Sequence, residues 1–176
     1  MPVLIAIAGL LVGALIWYNR MKQAGYVAGE LKDAANDVRL AARRFGFKRR
    51  ANVHPIDTLD DARLAAAGIV AATVQMDGLW DQSMSDAMVQ QAQSVFNVDL
   101  DEAEEIVIFA RWIAAQGRNP HETIRRLARR LKRLAGQEAM ADTVQMIQGV
   151  SGRGGRSLSP DAEDAIATVE RVLKTA

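Results

Sequence analysis

Three carboxylates surround a glycine in the stretch "TVQMDGLWDQSMSDAM", residues 73–88: Asp77, Asp81 and Asp86 lie around Gly78. Calcium takes six to eight oxygen ligands, so these side chains with a backbone carbonyl would supply about half of a coordination shell. Their spacing is not that of an EF-hand loop. The alternative is a plain helix hairpin, in which Asp77 and Gly78 close one helix and Asp86 caps the next.

The other reactive residue types form no recognisable catalytic pattern. Cysteine is absent, which excludes disulfides, thiolate metal sites and thiol catalysis. The two histidines, His54 and His121, are far apart in the sequence, and no nucleophile with a neighbouring base can be named. We therefore expect that the protein is not an enzyme and needs no cofactor, apart from the calcium ion considered above.

The chain begins with an apolar stretch, "VLIAIAGLLVGALIWY" at residues 3–18. As a helix it would span roughly 24 Å, close to the ~30 Å hydrocarbon core of a bilayer. A signal peptide would have basic residues before its apolar stretch, and this chain has none there. A buried core helix would need to be covered on all sides, which a domain of this size can scarcely do. Residues 1–22 are therefore predicted to be a single transmembrane anchor. The residues expected at the membrane interface are Trp17, Tyr18, Arg20 and Lys22.

Charge predicts the orientation of this anchor. Basic residues follow the apolar stretch and none precedes it, so the short N-terminus should lie outside and the rest of the chain in the cytoplasm. The expected location is the inner (cell) membrane, with membrane lipid as one partner. Gly9 and Gly13 form a GxxxG pattern, which lets two membrane helices approach closely and suggests a homodimer through this segment.

Residues 23–50 form a basic amphipathic connector. One apolar seam follows a helical period through Val27, Leu31, Ala34, Val38, Ala41 and Phe45. Such a helix would lie on the membrane, form a coiled-coil stalk or pack on the domain, and the sequence leaves these alternatives open. The residues expected to contact anionic lipid are Arg43, Arg44, Lys48, Arg49 and Arg50. A solvated stalk, whose charges only fix topology, is the alternative to lipid contact. Residues 51–59 are predicted to be a linker.

Helix signals repeat over residues 60–176 and predict an all-α bundle of about six helices. Asp99, Asn119 and Ser159 are expected to cap three of them, and Ser83 a fourth. The first helix should bury one face, made of Leu64, Ala67, Val70, Ala71 and Val74.

The helix after Pro120 is crowded with basic residues: Arg125, Arg126, Arg129, Arg130, Lys132 and Arg133. They would suit nucleic acid or lipid headgroups. The net charge of +1 argues against a general attraction to nucleic acid, which we regard as an unlikely partner. We expect these side chains in part to pair inside the molecule with acidic residues of the preceding helix, which starts at Asp99, and otherwise to form a solvated face.

The domain resembles the TerB-like family of tellurite-resistance proteins, an all-helical domain also found in the membrane-anchored co-chaperone DjlA. "QMDG" at 75–78 is similar to the family's Ala-Asp-Gly helix end, "SMSD" at 83–86 to the helix start that follows, and "SLSPDAE" at 157–163 to a second, degenerate copy. The resemblance covers about residues 60–174. The first loop is about two residues longer than the family pattern, and Gly155 and Arg156 replace the second Asp-Gly.

The resemblance implies acidic metal-binding loops, of which this chain keeps only one aspartate-bearing copy. We therefore favour the hairpin interpretation over calcium binding. There is no J domain, since "HPID" at 54–57 is not the His-Pro-Asp tripeptide. The sequence predicts a membrane-tethered interaction or scaffold module on the cytoplasmic face, in a stress or envelope context, with an unknown protein partner. The alternative is a domain that senses a cation or anionic lipid through the loop 77–86 or its basic faces.

Overall fold

The computed structural model describes residues 35–47, 52–78, 80–155 and 157–175. These parts of the chain contain helices and no strand, which confirms the all-α prediction. None of the described helices is long and apolar enough to cross a membrane. The predicted anchor 1–22 and three of the basic connector residues lie outside the described residues; the site residues concerned are Gly9, Gly13, Trp17, Tyr18, Arg20, Lys22, Lys48, Arg49 and Arg50.

Residues 35–44 are helical and belong to the connector. The bundle follows with six helices in the described residues: α1 (Ala62–Met76), α2 (Gln82–Phe96), α3 (Leu100–Ala114), α4 (Pro120–Ala135), α5 (Ala139–Ser151) and α6 (Pro160–Lys174). One 3-10 turn, Pro55–Thr58, precedes α1, and a second, Arg153–Gly155, precedes α6.

Four of these helices start with an oxygen-bearing side chain that accepts a hydrogen bond from the backbone N–H three residues further on. The caps Asp99, Asn119 and Ser159 were predicted, and their bonds measure 2.8, 3.4 and 3.0 Å. Each bond satisfies one of the N–H groups that a helix start leaves without an intrahelical partner. Proline fills the first position of α4 and of α6, where its missing N–H removes no helical hydrogen bond.

The predicted start of α2 at Ser83 is wrong. Asp81 is the cap, and its Oδ1 accepts from the N–H of Met84 at 2.7 Å. The expectation that Asp86 caps this helix is wrong as well, because Asp86 lies inside it and accepts a hydrogen bond from Gln82 Nε2 at 2.8 Å. Asp81 has the extended backbone that a cap requires and an acceptor two residues before the serine, so the helix begins earlier.

Helix α1 is the centre of the bundle. The prediction that it buries a single face is wrong: every residue from Leu64 to Val74 is buried, and α1 packs against α3, α4, α5 and α6. A helix that is apolar all round belongs in a core. Small residues allow its neighbours to come close. A Cβ atom added at Gly68 would lie 2.9 Å from Ile113 Cγ2, so any larger residue at this position would force Ile113 on α3 to shift.

The stretch predicted as a linker, 51–59, packs on the bundle in its described part. Ile56 and Leu59 are fully buried in the same core as α1. His54 stands at the start of the 3-10 turn, where its Nδ1 accepts a hydrogen bond from the N–H of Ile56 at 3.3 Å. These contacts place Asp57 and Asp60 beside α4.

Candidate functional site

The acidic turn between α1 and α2 is tied to the start of α6. Asp77 is the C-cap of α1, and its Oδ1 accepts a hydrogen bond from Ser159 Oγ at 2.6 Å. The same Ser159 Oγ accepts from the N–H of Ala162 and so caps α6. A hydrogen bond to a carboxylate is stronger than one between neutral groups. One serine therefore joins two helix ends that are 82 positions apart in the sequence.

The other two carboxylates of the turn have different partners. Asp81 caps α2, and one of its oxygens lies 3.8 Å from Arg153 Nη2. Asp86 accepts from Gln82 on the exposed side of α2. Among the described residues there is no group of three or more histidine, aspartate and glutamate side chains arranged to hold a metal ion. Calcium binding at Asp77, Asp81 and Asp86 stays the untested alternative to the favoured hairpin interpretation.

Trp80 is half-buried in this turn and contacts both α2 and α3. Its Nε1 donates to Ser85 Oγ at 2.9 Å, and the guanidinium of Arg111 on α3 lies 4.6 Å from the ring centroid. This distance is within the range of a cation–π contact. Burial lowers the pKa of Arg111. The tryptophan thus attaches the turn to α3 as Ser159 attaches it to α6.

Three arginines of α4, Arg126, Arg130 and Arg133, form ion pairs inside the molecule, but not with α3 as predicted. Arg126 forms a bidentate ion pair with the carboxylate of Asp57, in which Nε donates to Oδ1 and Nη2 to Oδ2. Arg130 Nε donates to the carbonyl of Leu59 at 2.6 Å, and its Nη2 lies 3.3 Å from Asp60 Oδ1. The predicted partner was wrong because α1 packs against both α3 and α4, which leaves the 57–60 segment as the nearest acidic neighbour of α4.

The ion pair with Arg126 has a consequence for titration. The guanidinium donates to the Asp57 carboxylate and lowers its pKa, although partial burial acts in the opposite direction. The same contact raises the pKa of Arg126. These residues, with Glu122, Arg129 and Arg133, line one polar cleft on the surface of α4. Asp57 therefore neutralises part of the basic face that the sequence offered for anionic ligands.

The acidic side chains of α3 hold other segments in place. Glu102 Oε1 lies 2.9 Å from Arg63 Nη1 on α1. Glu105 Oε1 lies 3.0 Å from Arg44 Nη1 on the connector. Arg44 was predicted to contact anionic lipid, and in the folded chain its guanidinium is engaged with α3.

The connector packs on α3 through aromatic rings. Phe47 lies edge-on against Phe109 and Trp112, with ring centroids 5.2 and 5.5 Å away. Phe45 lies against the same Phe109 at 6.4 Å, and Ala41 is fully buried. Edge-on aromatic pairs contribute about 0.5–1.5 kcal/mol each beyond the area they bury. The described part of the connector, from Val38 on, therefore packs on the domain, which was one of the three alternatives.

Sequence patterns did not indicate two of these contacts. The Asp77–Ser159 bond joins distant residues whose types suggested only local capping roles. Phe47 follows Gly46, which marks the end of the connector helix, and no periodic pattern extends to it. The only available signal was its size, since an aromatic residue in a basic stretch usually has apolar contacts.

Comparison of the chain with protein-family models, with curated proteins and with solved structures found no match.

Proposed function

We propose that this chain is a membrane-tethered, non-enzymatic interaction module of the TerB-like kind, whose bundle lies on the cytoplasmic face of the cell membrane. The membrane part rests on the apolar residues 3–18 and the basic residues that follow them. The interaction part rests on the resemblance to the TerB-like family over residues 60–174. A stress or envelope setting follows from the resemblance alone.

One observation supports tethering most directly: the chain that follows the predicted anchor packs on the bundle. From Val38 to Phe47 the connector is fixed by a buried alanine, two phenylalanines and the Arg44–Glu105 ion pair. Only 15 residues separate Lys22 from Val38 in the sequence. These 15 residues can span at most about 50 Å, which limits how far an anchored chain could hold the bundle from the membrane.

The core of the bundle supports the same proposal in a second way. Its central position is taken by α1, which is covered by four neighbouring helices. The predicted helix at residues 3–18 is also apolar on every side. It therefore needs an apolar environment of its own, and a bilayer supplies one.

The TerB-like part has a separate support. The two sequence elements on which the resemblance depends, 75–78 and 157–163, meet in the fold through the hydrogen bond between Ser159 and Asp77. This bond joins the helix-end motif of the first element to the helix-start motif of the second, and so brings the two elements together in the fold.

Extraction and labelling experiments test the tether and its orientation. The full chain should stay with the membrane in alkaline carbonate, whereas a chain that starts at residue 35 should be released. Because cysteine is absent, a single Gln148→Cys at an exposed position of α5 provides a unique label. An impermeant maleimide should label it in inside-out vesicles and not in right-side-out vesicles. Release of the full chain, or labelling from the outside, would refute the proposal.

A pull-down tests the interaction part. The intact chain in detergent and the chain from residue 35 should recover the same protein if recognition resides in the bundle. Recovery by the intact chain alone would place recognition in the anchor. If neither form retains a partner, the interaction role loses its support even where the tether is established.

A further inference from the structure

The connector helix has an exposed face that its packing on the bundle leaves open. Leu40 is 51% exposed, whereas the next residue, Ala41, is fully buried. At 3.6 residues per turn, neighbouring residues point about 100° apart. Ala41, Ala42 and Phe45 lie on the side that faces the bundle, so Leu40 lies on the opposite side.

Basic residues flank this leucine. Arg39 and Arg43 are exposed, and the sequence continues with Lys48, Arg49 and Arg50. Arg44 also neighbours Leu40 on the helix, but its guanidinium is bound to Glu105. In the described part of the connector, Arg44 therefore holds the helix on α3, whereas Arg39 and Arg43 remain exposed on the outer face.

We propose that Arg39, Leu40 and Arg43 form a surface that lies on anionic lipid, with the leucine entering the interface between the two arginines. This inference rests on the proposed tether, which brings an inner leaflet within reach of Val38. An exposed leucine beside cationic side chains is the combination that interfacial helices use, with apolar burial and charge attraction acting together. The docking of the connector and the contact with lipid then use opposite sides of one helix.

The bundle offers a matched control for this surface. Leu100, at the start of α3, is 50% exposed, nearly the same as Leu40. Its sequence neighbours are Asp99 and Asp101, so it differs from Leu40 in the sign of the surrounding charge. Anionic lipid should attract the basic surroundings of Leu40 and repel the acidic surroundings of Leu100.

The test uses the full chain in vesicles and a fluorophore on a single cysteine, either Leu40→Cys or Leu100→Cys. The vesicles are made of phosphatidylcholine, alone or mixed with phosphatidylglycerol, and the lipids carry bromine atoms near the headgroup as contact quenchers. We expect quenching at position 40 in the mixed vesicles, little in phosphatidylcholine alone, and none at position 100. Raising the salt concentration should weaken the quenching at position 40 because it screens the charges.

Replacing the arginines tests the role of charge. At about 1 kcal/mol per basic residue near an anionic surface, Arg39→Gln and Arg43→Gln should each weaken the lipid-contacting state about fivefold. Both side chains are exposed, so unchanged unfolding in urea serves as the check that these variants fold.

Three results would overturn the inference: no quenching at position 40, equal quenching in both kinds of vesicle, or equal quenching at positions 40 and 100. Failure of the tether would be seen separately, as release of the whole chain from the vesicles in alkaline carbonate.

Discussion

The bond between Asp77 and Ser159 allows a sharp test of how the bundle is held together. Ser159→Ala removes two interactions at once, the α6 cap and the hydrogen bond to the carboxylate. Asp77→Ala removes only the second. A helix cap contributes about 1 kcal/mol, and a hydrogen bond to a charged group about 1.5 kcal/mol at the lower end of its usual range.

These magnitudes predict the outcome of a double-mutant cycle. Asp77→Ala should lower the free energy of unfolding by about 1.5 kcal/mol and Ser159→Ala by about 2.5 kcal/mol. The double variant should also lose about 2.5 kcal/mol, because the shared bond can be lost only once, which gives a coupling energy of about 1.5 kcal/mol. Asp77→Asn keeps an acceptor without the charge and should lie between wild type and Asp77→Ala.

Urea unfolding of the chain from residue 35, followed by tryptophan fluorescence, measures these differences. Trp80 and Trp112 lie in the turn and in α3, so both report on the bundle. Asp86→Ala is the control, since Asp86 makes only an exposed contact within α2 and should change stability by less than about 0.5 kcal/mol. Losses that simply add in the double variant would mean that the two residues act independently, and the proposed junction of the two helix ends would be refuted.

Four further predictions concern other parts of the fold. Asp81→Ala removes the α2 cap and should cost about 1 kcal/mol in urea unfolding; a loss no larger than that of Asp86→Ala would contradict the assigned helix start. The ion pair with α4 lowers the pKa of Asp57, so its stabilisation is complete above about pH 4, the ordinary aspartate value, and is lost as the pH falls through the lower folded-state pKa. Stability measured from pH 6 to pH 2.5 should therefore fall more steeply for wild type than for Asp57→Asn, and parallel curves would exclude the pair as the cause. Phe47→Ala breaks two aromatic contacts and should cost about 2 kcal/mol, whereas Leu40→Ala should cost less than about 0.5 kcal/mol; equal losses would argue against the docked connector. Calcium, titrated into the chain from residue 51, should leave the melting temperature unchanged, and an upward shift that Asp77→Ala abolishes would establish a cation site after all.

Local signals in the sequence were sufficient for the fold class and for the starts of three of the six bundle helices. Asp99, Asn119 and Ser159 cap the helices that they were predicted to cap, because a cap bonds to an N–H only three residues away. The start of α2 shows the limit of such signals. Asp81 and Ser83 are both good caps by residue type, and choosing between them requires the backbone conformation at each position.

Relations between distant residues could not be read in the same way. The sequence of α1 indicated a single buried face, because alanine and glycine are compatible with both buried and half-exposed positions of a helix. The partners of the α4 arginines depended on which segment lies beside that helix, and α1 decided this by packing against both α3 and α4.

The sequence by itself therefore determined that this chain forms helices and where three of the six bundle helices begin, because these properties depend on interactions across three or four residues. Only the tertiary structure decided that Ser159 bonds Asp77, that Arg44 holds the connector on Glu105, and that Leu40 stays outside. Those outcomes depend on how whole helices pack, and the packing reflects the sum of many weak contacts between residues far apart in the chain.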